Sequence, residues 1–200
     1  MAKQNQAQTA YEKIREKLIS RTLEPGQRLI ERIWAENLKV NRADVRQAFS
    51  RLLGEGLLNS GSKGGFFVRE FTPAEMSELN EIRLVLESAA AKLAIDRATR
   101  GDIVQLEKIC EHMGLMVENG YIMGVGEADL KFHETLVKSA HNSKLEFLYK
   151  IANLPLSMRT PTNVGKEKLV SDVADHVAIV EALKKKNLPE MLKRLSMGLV

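Results

Sequence analysis

Apolar residues recur at helical spacing through most of the chain. The first run, Tyr11, Ile14, Leu18 and Ile19, forms one face of an amphipathic helix that the turn Glu24-Pro25-Gly26 closes. Ile33, Trp34 and Leu38 mark a second, shorter helix. In a third, Val45, Phe49, Leu52 and Leu53 supply the buried stripe, and Asn41 is the N-cap, so the helix starts at Arg42. Asp44 then stands where a carboxylate suits the exposed amides and the positive end of the helix. Leu57-Leu58 and Phe66-Phe67-Val68 read as short strands around the polar loop Ser60-Gly61-Ser62-Lys63-Gly64-Gly65. Helix, helix, turn, helix and hairpin in this order make a winged helix-turn-helix.

Beyond the hairpin the period stays helical. Thr72-Pro73-Ala74-Glu75 is a capping box with proline at the first helical position. The spacing predicts helices near 73–98, 102–118, 124–140, 143–157, 167–186 and 188–199. Breaks fall at Gly101, Asn119-Gly120, His141-Asn142, the loop 159–163 and Asn187. No strand alternation interrupts them. The fold class is therefore mainly α, with a winged helix-turn-helix over 1–70 followed by an all-α bundle domain over 71–200.

Charge sharpens this division. Residues 1–70 hold 13 Lys and Arg against 8 Asp and Glu, a net of +5, whereas residues 71–200 hold 17 against 18, a net of −1. The basic excess sits in one domain, as phosphate neutralisation requires. A hydrophobic content of 44% in 200 residues suffices for cores without disulfides or structural metals. No apolar run approaches the roughly twenty residues of a membrane span, and Met1 to Thr9 is polar, without a hydrophobic signal region. The single Cys110 suits a reducing cytoplasm and reads as a small buried residue rather than a nucleophile. The expected location is the cytoplasm, at the nucleoid.

Candidate chemistry lies in both halves. Arg42 and Arg46, four apart, share a face one turn from the start of the third helix and can reach phosphates or guanine edges. In the helical domain Val173, His176, Val177 and Val180 follow an i, i+3, i+4, i+7 spacing that points His176 inward. Asp129 and His133, four apart beside Phe132, Leu136 and Val137, face inward too. One carboxylate and two imidazoles could hold Zn²⁺, Mn²⁺ or Ni²⁺ with positions left for water or a small anion. The alternative is two satisfied core histidines with Asp129 orienting His133. Arg83 falls in the stripe Leu79, Arg83, Leu86, Ala90, where a guanidinium demands an anionic partner, either an internal Glu or Asp or a ligand. No Glu or Ser is placed as a base or nucleophile beside the three metal-ligating candidates, which argues against a hydrolytic enzyme.

The segments Leu23-Glu24-Pro25-Gly26-Gln27-Arg28-Leu29, Glu31-Arg32, Ala35, Leu38, Val40-Asn41-Arg42, Val45-Arg46, Ala48, Leu52, Glu55-Gly56-Leu57 and Gly64 resemble the GntR family of bacterial transcription regulators. That resemblance makes Arg32, Arg42 and Arg46 the main DNA contacts, with Asn41 and Ala43 beside them and Lys63, Gly64 and Gly65 in a wing near the minor groove. Lys39 replaces the glycine usual in the turn and adds a side chain for DNA, while Ile30 stands where a polar cap often precedes the second helix. Further on, Glu81 to Glu87, Asp129 to His133, Ala140-His141-Asn142 and Asp175 to Leu183 resemble the FCD-type effector-binding domain of the FadR-like subfamily. Many of its members hold a metal through one Asp and three His, and the metal helps to bind a carboxylate effector. The resemblance therefore implies a divalent ion on Asp129, His133 and His176 and makes Arg83 a carboxylate clamp, with His112, His141 and Arg159 as weaker candidates. The family's last His falls at Gly198, which has no side chain, so affinity for the ion should drop.

Together these readings describe a sequence-specific DNA-binding regulator, a repressor relieved by a small organic acid. One recognition helix contacts too few base pairs for useful specificity, so a homodimer on a short inverted repeat of double-stranded DNA is expected. The alternative is an architectural DNA-binding protein that ignores effectors and carries a degenerate pocket.

Overall fold

In the computed structural model, which describes residues 6–20, 22–62, 64–157 and 165–197, the chain divides into two units, Met1–Met76 and Ser77–Val200. The first contains α1 (Gln6–Ile19), β1 (Arg28–Leu29), α2 (Glu31–Leu38), α3 (Arg42–Gly54), β2 (Leu58–Ser60) and β3 (Phe66–Val68). Ala10, Tyr11, Ile14 and Leu18 line up on one side of α1, and α1 packs against α3, whose Val45, Ala48, Phe49 and Leu52 are buried with them. The Phe49 ring meets Phe66 with centroids 5.0 Å apart, tying α3 to the small sheet. That sheet is antiparallel in the order β1-β3-β2, with Leu29 opposite Phe66 and Leu58 opposite Val68.

Several local expectations change here. Ile33 is exposed and Leu53 only half-buried, so Trp34 and Ala35 carry the buried face of α2. Leu57 is buried but precedes β2, in a turn where its amide bonds Leu52 and Gly56 takes a φ of 73°. Strand β1 was not expected, since its two residues become a strand only through β3. Asn41 has the extended backbone of an N-cap, yet its side chain makes no cap bond; its amide donates to Gln6 at 3.4 Å, and the Asn41 carbonyl receives the Asp44 and Val45 amides. Lys39 ends α2 in the left-handed region (φ 55°, ψ 45°), so the turn keeps the shape a glycine would favour while bearing a Cβ.

The second unit is helical among the described residues. Helix α4 (Pro73–Arg97), which begins just before the division, starts at reciprocal bonds between Thr72 and Glu75. α5 (Arg100–Glu118) starts the same way at Thr99 and Asp102, so Gly101 lies inside a helix rather than at a break: the capping box outcompetes the glycine. α6 (Ile122–Lys138) follows Gly120, whose φ is 72°. α7 (Ser143–Ser157) is capped by the Asn142 side chain, α8 spans Lys166–Lys184, and α9 (Leu188–Met197) is capped by Asn187.

Leu106 and Met113 of α5, Phe132 and Leu136 of α6, Ile179 and Leu183 of α8 and Met191 and Leu195 of α9 form one core; Ala90, Val137, Leu145 and Tyr149 form a second. Val177 is exposed, because α8 buries the stripe His176, Ile179, Val180, Leu183. Cys110 is buried, and desolvation pushes its thiol up to about 11. Lys63, the 159–163 loop with Arg159, and Gly198 lie outside the described residues.

Candidate DNA interface and candidate metal centre

The start of α3 presents Arg42 and Arg46 with side chains 65% and 67% exposed. Both turn toward one carboxylate, that of Glu31 at the start of α2. Arg46 donates from Nε to Glu31 Oε1 at 2.8 Å and from Nη2 to Oε2 at 2.9 Å, while Arg42 Nη2 lies 3.8 Å from Oε2. Arg32 pairs with Glu36 at 2.8 Å in full solvent. Arg28, Glu31, Arg32, Arg42, Gly65 and Phe66 line a common cleft. Gly64 and Gly65, at φ of 82° and 97°, give the wing a turn that side chains with a Cβ resist. Asn41, Ala43 and Lys39 are exposed at the same end of α3. Arg32, Arg42 and Gly65 thus meet at one cleft, to which Glu31 ties Arg46. Sequence reasoning missed Glu31 and Arg28. An acidic residue directly before Arg32 was the available signal for Glu31, but at a helix start it reads as complementing the dipole.

In the second unit, α4, α6, α7 and α8 converge on a polar cluster. Arg83 Nε donates to Glu87 Oε1 at 2.7 Å, so the internal partner its burial demanded is Glu87, one turn along α4. The Tyr149 hydroxyl donates to the same oxygen at 2.6 Å. His133 Nδ1 lies 2.9 Å from Glu87 Oε2 but off the hydrogen-bond direction, leaving two buried polar atoms without a well-aligned partner. His176 Nδ1 lies 2.6 Å from the Asp172 carbonyl oxygen, which can only accept. That places a proton on Nδ1, and in the neutral ring the Nε2 lone pair then faces the cluster. Glu87 favours the same tautomer for His133.

The two Nε2 atoms lie 3.2 Å apart, and Asp129 Oδ1 lies 3.1 Å from that of His176 and 3.6 Å from that of His133. With both imidazoles neutral, two Nε2 lone pairs and a carboxylate this close repel, and a proton or a metal ion among them relieves that repulsion. Donors about 2.1 Å from one ion are separated by about 3.0 Å in octahedral and about 3.4 Å in tetrahedral geometry, so the three spacings fit one face of either polyhedron. Asp129, His133 and His176 are the group among the described residues that could hold a metal ion. Arg83 Nη2 stands 3.7 Å from Asp129 Oδ2, beside this face, and the Phe132 ring packs edge-on against His176. His112 and His141 lie elsewhere: His112 is exposed on α5, and His141 pairs with Asp102 at 2.9 Å.

Burial opposes every charge in the cluster, and partners overcome it. For Glu87, His133 and Arg83 outweigh desolvation and hold the carboxyl at about 2. Desolvation would likewise raise Asp129, but His133, His176 and Arg83 bring it well below the usual carboxylate range. Burial and then Arg83 push His133 down, yet Glu87 and Asp129 leave it raised overall. Burial pushes the Tyr149 phenol up, and Glu87 adds to this, so the hydroxyl remains a donor.

Comparison with known proteins ties both halves to one group. Residues 6–68 match the gntR family of bacterial regulatory proteins, and residues 78–196 match the FCD domain. The HTH-type transcriptional regulator YdhC of Bacillus subtilis is 31% identical over 179 residues, spanning 88% of this chain and 80% of that protein. The chain belongs to the GntR family, in the branch that carries an FCD domain. The gluconate operon transcriptional repressor of Bacillus licheniformis is 27% identical over 91% of the chain and 77% of its own length. The structure of Escherichia coli McbR/YncC superposes with a TM-score of 0.83 over 97% of this chain and 93% of that one; at 23% identity the likeness concerns the fold. This GntR protein is accordingly a DNA-binding transcriptional regulator, and the family's members are not enzymes. No helix among the described residues is long and apolar enough to cross a membrane.

Proposed function

We propose that this regulator acts as a homodimer on an inverted repeat and that a small carboxylate, held at a divalent ion on Asp129, His133 and His176, changes its affinity for the operator. The observation that carries the reading is the convergence of two Nε2 atoms and one carboxylate oxygen within 3.6 Å of one another. Charge supports the ligand class. With neutral imidazoles, Arg83, Glu87 and Asp129 sum to one negative charge. A divalent ion makes that one positive, which a monocarboxylate neutralises. The terminal nitrogens of Arg83, beside Asp129, would orient such a ligand. A related repressor is named for a gluconate operon, so hydroxy-carboxylates are the first class to test. On the DNA side Arg32, Arg42 and Arg46, with Lys39, Asn41, Ala43, Gly64 and Gly65 around them, would contact the duplex. Coupling requires the carboxylate to bind the free and DNA-bound arrangements with different affinity, and repression relieved by ligand is the expected sign.

Elemental analysis of untagged, chelator-free protein tests the centre. About one equivalent of metal per chain, lost in Asp129→Ala and His176→Ala, is the expected result; a chain that takes up no Zn²⁺, Ni²⁺ or Mn²⁺ even after soaking would end the proposal. Calorimetric titration of the loaded protein with gluconate, galactonate and lactate then reads the ligand class, and displacement from labelled operator reads the coupling.

A further inference from the structure

Glu31 is the carboxylate that Arg42 and Arg46 of the candidate DNA interface share, and it is anchored differently from its neighbours. Its side chain is 16% exposed, against 67% for Arg46 and 65% for Arg42. In the nearby Arg32–Glu36 pair, both members lie in solvent at 63% and 61%. A sunken acid and a projecting base make an asymmetric pair in which the acid is the fixed point. The residue before it, Ile30, provides no side-chain cap, so Glu31 also stands at the uncapped positive end of α2.

The bonds are specific about which part of Arg46 they use. Glu31 takes the Nε–Nη2 edge through two parallel hydrogen bonds. A guanidinium has five donors in a rigid fork, so the Nη1 hydrogens and one on Nη2 stay free at the outer end. That outer end is the pair of donors that matches O6 and N7 of guanine in the major groove. A long exposed arginine left to itself would sample many rotamers and settle on whichever phosphate is near. Held along its inner edge, it is aimed outward, and the adjacent negative charge disfavours phosphate.

We infer that Glu31 is a positioning residue for base recognition: it buttresses Arg46 so that the outer edge of the guanidinium reads a guanine, and it suppresses phosphate binding by Arg46 and Arg42. The inference rests on α3 being the recognition helix. The hydrogen bond from Arg46 holds the Glu31 carboxyl below its usual range, so the buttress stays ionised at neutral pH. Glu31 thereby lowers total attraction to DNA while raising the preference for the right base.

The test uses the full-length chain. Selection from a random-sequence duplex library gives the preferred site of the wild type, and affinities are then measured on that site, on every single-base-pair variant of it and on poly(dI-dC), across a salt series. Glu31→Gln removes the charge and keeps the shape. It should melt with the wild type, bind poly(dI-dC) more tightly with a salt slope steeper by about 0.9, and lose about tenfold in discrimination at one base pair per half-site. Arg46→Ala should flatten preference at the same base pair. If Arg46→Ala flattens it and Glu31→Gln discriminates as sharply as wild type, the buttress is refuted while the recognition helix stands. If Glu31→Gln flattens a different base pair, Glu31 reads a base itself, through a cytosine N4 donor, and the positioning role is wrong. If Arg46→Ala leaves every preference unchanged, the assignment of α3 fails and the buttress with it.

Discussion

The two units hold their arginines in opposite ways. In the winged unit Arg46 and Arg42 share Glu31 at the surface, where water already solvates the guanidinium groups. In the helical unit Arg83 shares Glu87 with Tyr149 and His133 almost without water, the two charged side chains being 11% and 1% exposed. The chemistry of the pair is similar, but the consequence is not. A pair with an exposed member contributes about 0–1 kcal/mol and leaves the outer donors of the guanidinium free. A buried pair adds little net stability when intact, because desolvation offsets attraction, yet breaking it leaves an uncompensated charge. Surface arginines are thus available to DNA, whereas Arg83 and Glu87 are a fixed support for the side chains of Asp129 and His133.

The largest break in this contrast should come from Glu87→Ala, which strips Arg83, Tyr149 and His133 of a shared acceptor. Urea unfolding should show a loss of about 3–5 kcal/mol, and a loss below about 1 kcal/mol would place the cluster with the surface pairs. Next comes the ion. Zn²⁺ at about 100 times its dissociation constant should stabilise the chain by about 2.7 kcal/mol, an increment that EDTA reverses and His176→Ala never gains. Calorimetric melts with and without metal measure it.

At the surface, Arg46→Ala should weaken binding to the preferred DNA site by about 1–3 kcal/mol while unfolding in urea within about 0.5 kcal/mol of the wild type. A larger stability loss would show that the Glu31 pair supports the fold. Lys39→Gly relieves a left-handed residue and should stabilise the winged unit by about 1 kcal/mol, visible as a raised urea midpoint; no gain would mean that the turn has relaxed around the side chain.

The smallest effect concerns Glu75, whose carboxyl is held at about 2 by the Thr72 amide and by Arg69. A carboxyl depressed on folding contributes fully above its unfolded value of about 4.3 and loses that contribution as pH falls toward 2. Glu75→Gln should therefore lower the urea midpoint at pH 7 and do so progressively less as pH falls from about 4 toward 2.

Much of the architecture was legible residue by residue. Asn41 and Arg42 marked the start of α3, Thr72 to Glu75 marked that of α4, and the breaks at Gly120, Asn142 and Asn187 fell where turn chemistry put them. His133 and His176 were recognisable as inward-facing because each lies in an apolar stripe, whereas Asp129, read as inward with them, is only half-buried. Errors arose where one local signal competed with another. Gly101 lost to the Thr99–Asp102 box. Val177 lay within the width of the apolar stripe by spacing alone, but the packed face of α8 is centred on His176 and Val180. Glu87 was four residues from Arg83 and could have been named, but an i, i+4 pair on a helix is ordinarily a solvated one.

By itself the sequence determined the helices, their caps, the segregation of basic charge and the candidates for chemistry, because these follow from interactions within a few residues. Tertiary structure alone decided that Tyr149, 62 residues from Glu87, closes the support behind His133, and that Glu31 reaches 15 residues along the chain to Arg46. It also decided that two imidazoles from α6 and α8 turn their Nε2 atoms toward one carboxylate oxygen. Such contacts depend on how helices pack and rotate against one another, and packing is settled by the sum of many weak apolar contacts that no local pattern records.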